Sequence, residues 1–375
     1  MTILPSRPTR LVTHIARIAA GIALLILATP AASAEAPKTI TIAFPGVGIG
    51  GKQFGGGNAA AVVHVQRRLE KAFAKDGTRI TWEFYKGAGP AINEGMANGK
   101  IDFAYLGELP AIMARSAGLD TRVLLSTATG NNTYIAVAKG SKIRSVKDLK
   151  GKVIANFKGT ALHLSANRVL AEAGLSERDL KVINLEPANA QTALATGQID
   201  AMVSSYNLLL LRDKGIADII YSTKGRSPRL GMQGILLVRG AFADKYPDAV
   251  KQVVKETVAA AHWSSQPENA DALYEIWSRT GLPARHFKTE YPPETLHDRL
   301  SPRLDGYVQG LLRHAIDDAR TYRLIRRDVD LGKWIDPAPL QAALVELKLT
   351  GYWQPRDAGW HPAKPKSRDA EGKAP

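Results

Sequence analysis

Three glycine-bearing turns hold the residues of this chain that could do chemistry. They are Gly46-Val47-Gly48-Ile49-Gly50-Gly51-Lys52, Tyr105-Leu106-Gly107-Glu108-Leu109-Pro110 and Lys158-Gly159-Thr160-Ala161. Each follows a run that reads as a strand, and the last two open into helical patterns. A strand feeding a glycine turn and a helix start leaves backbone N–H groups free at the positive end of a helix dipole, which is an anion site. The first turn also fits nucleotide fingerprints. Gly46-x-Gly48-x-x-Gly51 has the dinucleotide spacing. Gly46-x-x-x-x-Gly51-Lys52 nearly has that of a phosphate loop, but Gln53 replaces the hydroxyl that would hold magnesium. The preferred reading is a flexible loop at a strand end, with Gly48 and its neighbours turning N–H groups toward a cleft. Lys52 faces an anion or, as the plainer reading, solvent.

Other chemistries find no support. There is no cysteine, which excludes disulfides, thiolate metal sites and cysteine nucleophiles. No Gly-x-Ser-x-Gly elbow or His-Glu-x-x-His zinc helix occurs. The eight histidines show no metal-ligand clustering; His163, beside a helix start, either faces a ligand or packs. Asp102 and Asp200 sit at matching strand starts and read as turn formers rather than an acid–base pair. No catalytic residue, metal or cofactor is expected.

The positioning elements follow from periodicity. Ile80, Trp82 and Phe84 alternate with polar residues as a strand does. Pro90 suits a first helical turn, Ile92 and Met96 share a face, and Gly99 suits a helix end. Ile101 to Leu106 reads as a buried strand. The plan recurs from Pro187, and Ala-x-Gly-x-Ile-Asp occurs at both 97–102 and 195–200, suggesting two similarly built lobes. Asn58 caps a helix whose stripe is Val62, Val65, Leu69, Ala72 and Phe73. Beyond Ala241 the chain becomes mostly helical. Alternating strands and helices predict α/β lobes with mainly parallel sheets and a ligand beyond the strands' carboxyl ends.

At 375 residues the chain has room for two domains. Arg7, Arg10 and Arg17, the apolar run 18–28 and Ala32-Ser33-Ala34 make residues 1–34 a signal peptide. A soluble periplasmic protein is expected. Removing that segment takes three arginines and no acids, reducing the net charge from +15 to +12. Export argues against nucleic acid, ATP or NAD as partners. The Pro/Lys/Ala-rich tail, 361–375, is expected to be disordered.

With those residues in view, the sequence resembles the periplasmic solute-binding proteins of the sulfonate, taurine and nitrate type that serve ATP-binding-cassette (ABC) importers. Phe103-Ala104-Tyr105-Leu106-Gly107-Glu108-Leu109-Pro110 is similar to the family's core signature. Ser145-Val146-Lys147-Asp148-Leu149-Lys150-Gly151-Lys152-Val153 is similar to the opening of its second lobe, Lys158 to His163 to its ligand-facing turn, and Trp334-Ile335-Asp336 to its C-terminal region. The resemblance implies a type II-like two-lobed fold with crossovers near 128–132 and 222–232. Lobe 1 would comprise 35–128 with 230–360, and lobe 2 129–229. It also implies an interlobe ligand cleft, a small anionic ligand, an inner-membrane ABC permease as partner, a monomer and no enzymatic role. The carried-over ligand residues are Gly107 and Glu108 through backbone N–H groups, Thr160 with its hydroxyl, Ala161 and Leu162. The Glu108 carboxylate is expected to turn from an anion or meet a cationic end of the ligand. Tyr85 and Tyr206 pack on an organic tail or in the core. Where family members often read Asp-Ala-Trp-x-x-Trp-Asp-Pro, this chain has Asp200-Ala201-Met202-Val203-Ser204-Ser205-Tyr206-Asn207. Ser205 and Tyr206 replace a Trp and an Asp, which disfavours taurine and implies a wider pocket or an aromatic ligand. Alternatives are nitrate, bicarbonate, an aromatic acid or a pyrimidine precursor as cargo, a sensory partner, or an exported enzyme using the glycine-rich cleft.

Overall fold

In the computed structural model of the chain, which describes residues 1–2 and 36–359, ten strands form two five-stranded sheets. The expected signal peptide, beyond its first two residues, and the tail 361–375 lie outside the described residues. The strands are β1 Thr39–Pro45, β2 Arg79–Tyr85, β3 Phe103–Gly107, β4 Thr121–Asn131, β5 Tyr134–Ala138, β6 Val153–Asn156, β7 Lys181–Asn184, β8 Ala201–Ser204, β9 Ala217–Ser222 and β10 Met232–Arg239. The sheet orders are β2-β1-β3-β10-β4 and β7-β6-β8-β5-β9. The chain passes from the first sheet to the second between β4 and β5 and returns between β9 and β10. We call the elements on each sheet a lobe.

Each sheet is mixed but mainly parallel, as expected: four strands run one way and one runs against them. β1 runs parallel to β2 and β3, and β6 to β7 and β8. β10 is antiparallel to β3 and β4, and β5 to β8 and β9. The cause is connectivity. β10 and β5 each enter from the other sheet, from the end opposite to that used by a strand–helix–strand unit.

The repeated Ala-x-Gly-x-Ile-Asp is one joint built twice. Gly99 and Gly197 end their helices at φ 70° and 71°. Asp102 donates its N–H to the Thr41 carbonyl at 3.0 Å and accepts the Thr41 N–H at 3.0 Å. Asp200 does the same with Val153, at 2.8 Å in each direction. Asp102 thereby locks the start of β3 to β1, and Asp200 locks the start of β8 to the start of β6. The helix expected from Asn58 is broken into Ala60–Val65 and Arg68–Ala72 by Arg67, which adopts a left-handed φ of 51°.

The helical C-terminal region thickens the first lobe. Helices Pro247–Ser264, Ala270–Ser278, Gly306–Thr321 and Ala338–Glu346 feed its core. Trp277, Trp334 and Trp353 are fully buried there, and their indole N–H groups reach Asn58 O at 3.0 Å, Thr121 Oγ1 at 3.1 Å and His297 O at 3.1 Å. The second lobe has two smaller apolar clusters, one around Leu194 and Met202 and the other around Ile154 and Val169.

Candidate functional site

A cavity of about 590 Å³ opens between the lobes at the carboxyl ends of β1, β3, β6 and β8. Four helices direct their N-termini at it: Ala88–Ala97, Glu108–Ala117, Ala161–Glu172 and Pro187–Ala195. Their cap residues, Gly87, Gly107, Thr160 and Glu186, make no side-chain capping bond. The first-turn N–H groups are therefore open to a ligand. Thr160 donates its hydroxyl to the Phe157 carbonyl at 2.6 Å, which tightens the turn. Lys86 and Glu186 are the only charged residues in the lining among the described residues. An anion here is held mainly by helix dipoles and N–H groups.

The lobes approach closely beside this seat. A Cβ on Gly107 would come 2.8 Å from the Ala161 Cβ, so glycine is required for the two helix starts to meet. Gly57, at φ 82°, is constrained similarly, because a Cβ there would lie 2.7 Å from the Tyr206 hydroxyl. Tyr206 crosses from the second lobe to an aromatic wall of the first, with ring centroids 5.3 Å from Phe287 and 6.0 Å from Tyr291. Burial raises its phenol well above the ordinary value, so it stays neutral. Ala88 holds a left-handed φ of 49° at the cleft wall, a strain of about 1–2 kcal/mol for a residue with a Cβ.

Of the residues singled out from the sequence, the cavity gathers Gly48, Gly107, Thr160, Ala161, Leu162, Ser205 and Tyr206. Two are corrected. Tyr85 does not line it: its side chain lies on the opposite face of β2 from Trp82 and Phe84, bonded to Glu83 and near Gly95. Burial, then the Glu83 carboxylate, push that phenol up to about 12. Glu108 does not line it either. Its carboxylate is fully buried and accepts the Gln233 N–H at 2.8 Å, turned away from the cleft. His163 also stays outside. Its Nδ1 accepts the Gly159 N–H at 3.2 Å and its Nε2 meets Glu177 at 2.9 Å, bracing the turn from behind.

Sequence reasoning missed Lys86, Thr127, Asn131, Asn189, Gln191, Gln233 and Tyr291 in the lining. Asn189 and Gln191 carried a signal, because the echo starting at Pro187 implied a second helix N-terminus equivalent to that at Pro90. Tyr291 carried none.

A family model described as NMT1/THI5 like matches residues 73–270, more than half of the chain. The chain belongs to this family. A protein of Escherichia coli K12, provisionally named an aliphatic sulfonates-binding protein, is 32% identical over 316 residues, covering 82% of this chain and 92% of the relative. A Bacillus subtilis protein of the same name is 34% identical over 212 residues, or 56% of this chain, which spans 62% of that relative's length. Among solved structures, a periplasmic sulfonate-binding protein, SsuA, of Methylobacillus flagellatus KT shares 31% identity at a TM-score of 0.72, covering 86% of this chain and 98% of that one. The desulfurization enzyme DSZB, solved with biphenyl-2-sulfinic acid, aligns at a TM-score of 0.63 with 18% identity, over 82% of this chain and 99% of that one, and so shares the fold alone. That enzyme was crystallised with a cysteine changed to serine; the present family member has no cysteine.

Proposed function

We propose that this chain is the periplasmic substrate-binding component of an ABC importer, capturing a small organic anion of the sulfonate type between its lobes. One observation carries the reading: uncapped helix N-termini from both lobes converge on a cavity with almost no charged lining. A sulfonate remains anionic at physiological pH and has no proton to donate. It needs N–H donors and tolerates the absence of a full counter-charge. The relatives named for sulfonate binding support the same class, as does the volume, which leaves room for an alkyl or aryl tail.

In this reading Gly107, Thr160, Ala161 and Leu162 surround the anionic group, and Gly48, Ser205 and Tyr206 meet the tail. The chain crosses between the lobes near residues 132–133 and 223–231. The protein acts as a monomer, delivers its ligand to an inner-membrane permease, and turns nothing over. The test is thermal unfolding of the mature protein against alkyl and aryl sulfonates, taurine, aromatic carboxylates, nitrate and pyrimidines. A ligand at about a hundred times its Kd stabilises by about 2.7 kcal/mol, a rise in Tm on the order of 2–4 °C. A rise with sulfonates alone supports the reading; a rise only with another class replaces the cargo.

A further inference from the structure

One face of the Ala161–Glu172 helix links the ligand seat to the crossovers. Ala161, Ser165 and Arg168 stand at i, i+4 and i+7 on that face. Ala161 meets Gly107 at the cleft. Ser165 Oγ lies 2.6 Å from Thr133 Oγ1 in the first crossover and donates to the Leu230 carbonyl in the second at 2.5 Å. Arg168, only 5% exposed, makes the deepest contacts. Its Nε donates to Asp318 Oδ2 at 2.9 Å and its Nη1 to the Gly231 carbonyl at 3.2 Å. The same Nη1 lies 3.6 Å from Glu108 Oε1, a buried oxygen with no hydrogen-bond partner. Arg229 holds the other Asp318 oxygen at 2.8 Å, and the Gln233 N–H holds the other Glu108 oxygen at 2.8 Å.

A guanidinium from the second lobe is thus clamped by the helix start at Glu108, the C-terminal helix at Asp318 and the return crossover at Gly231. A buried cation is expensive to strip of its partners. We propose that Arg168 is a positioning residue for ligand binding. It pins the buried part of its helix to the first lobe, so the N-terminus at Thr160–Ala161, about 10 Å away along the axis, meets Gly107 in one place. Arg168 touches no ligand; it fixes the pivot on which the second half of the anion seat turns. The ligand half of this inference rests on the sulfonate reading, and the pivot half does not.

Because the chain has no cysteine, spin labels at Lys100→Cys and Lys181→Cys report the distance between lobes without competing sites. In the ligand-free protein, Arg168→Met should broaden and lengthen that distance distribution. By titration calorimetry, its Kd for butanesulfonate should rise tenfold or more. Arg168→Lys keeps the charge but not the fork, and should fall between. Val169→Ala, in the second-lobe core, should lower the Tm and leave both readouts unchanged. If Arg168→Met does not fold, Asp318→Asn and Arg168→Lys decide the matter. Folded variants with the wild-type distance distribution and a Kd within twofold would overturn the proposal. If the wild-type protein binds no sulfonate, the cargo reading fails separately, and the ligand-free distances still decide the role of Arg168.

Discussion

The first lobe and the second share one strand plan and one aspartate joint, yet they differ greatly in bulk. The first sheet is backed by the C-terminal helices and encloses three fully buried tryptophans. Between residues 132 and 231 there is no tryptophan, and the apolar clusters on the second sheet are small. Asp102 carries a second partner, Arg239 at 2.8 Å, whereas among the described residues Asp200 makes its backbone bonds without one. The lesson is a division of labour. A thick lobe serves as the frame, and a thin lobe with the same sheet order is joined to it by the two crossovers, the Arg168 clamp, the Tyr206 ring contacts and the Asp213–His286 pair at 2.8 Å, so the thin lobe is expected to loosen separately.

Substitutions can test that division, beginning with the largest effect. Trp277→Ala should cost about 3–5 kcal/mol, and Leu194→Ala about 2–5 kcal/mol. The decisive difference is spatial. Hydrogen exchange should show Leu194→Ala loosening only the second lobe, and Trp277→Ala loosening both. Uniform loosening by Leu194→Ala would remove the distinction between the thick lobe and the thin one. Next come the matched aspartates. Asp102→Asn leaves Arg239 without its carboxylate and should cost about 1.5–3 kcal/mol, against about 1 kcal/mol for Asp200→Asn, by urea denaturation. Equal losses would mean the Arg239 pair contributes nothing.

A third comparison concerns pH, since the first lobe alone buries a carboxylate at its helix start. Burial raises Glu108 from the ordinary 4.5 to about 7, with Arg168 opposing the rise. The folded protein then holds a proton that the unfolded chain has released. The contribution of Glu108 to stability should therefore fall as pH rises from about 4.5 to 7 and level off above that. Glu108→Gln should flatten this segment of the curve, and an unchanged slope would show that Glu108 titrates normally. The smallest effect is a control for equivalence. Gly99→Ala and Gly197→Ala, with no atoms near either Cβ position, should each cost about 1 kcal/mol from backbone strain alone. Unequal costs would show that the two joints are not the same structure.

Much of this plan was legible in the sequence because its causes are local. Alternation in 80–84 and glycine at 99 and 197 act within a few residues, and each appears where its pattern implies. The helix starts at 108 and 161 were legible for the same reason. The break at Arg67 was not, because nothing in Gln66-Arg67-Arg68 marks a left-handed residue. The insertion of β10 between β3 and β4 was also hidden, since it depends on the path taken by a hundred intervening residues. Glu108 looked like a ligand residue because its position in the turn was visible and its partners Gln233 and Arg168 were not. The pairing of Arg168 with Asp318, 150 residues apart, and of Tyr206 with Phe287 follows from tertiary placement alone.

The second lobe leaves and rejoins the first at adjacent points, because Asn131 in β4 pairs with Met232 in β10. This sets an order of synthesis. All strands of the inner lobe have been made by Ser222, while the outer sheet still lacks the strand that must slot between β3 and β4. During vectorial emergence from a ribosome, the lobe encoded in the middle can close on itself first. The lobe whose strands begin first must wait, half-made, until residues 232–239 arrive. Its open edges at β3 and β4 are then exposed to mispairing for as long as that wait lasts.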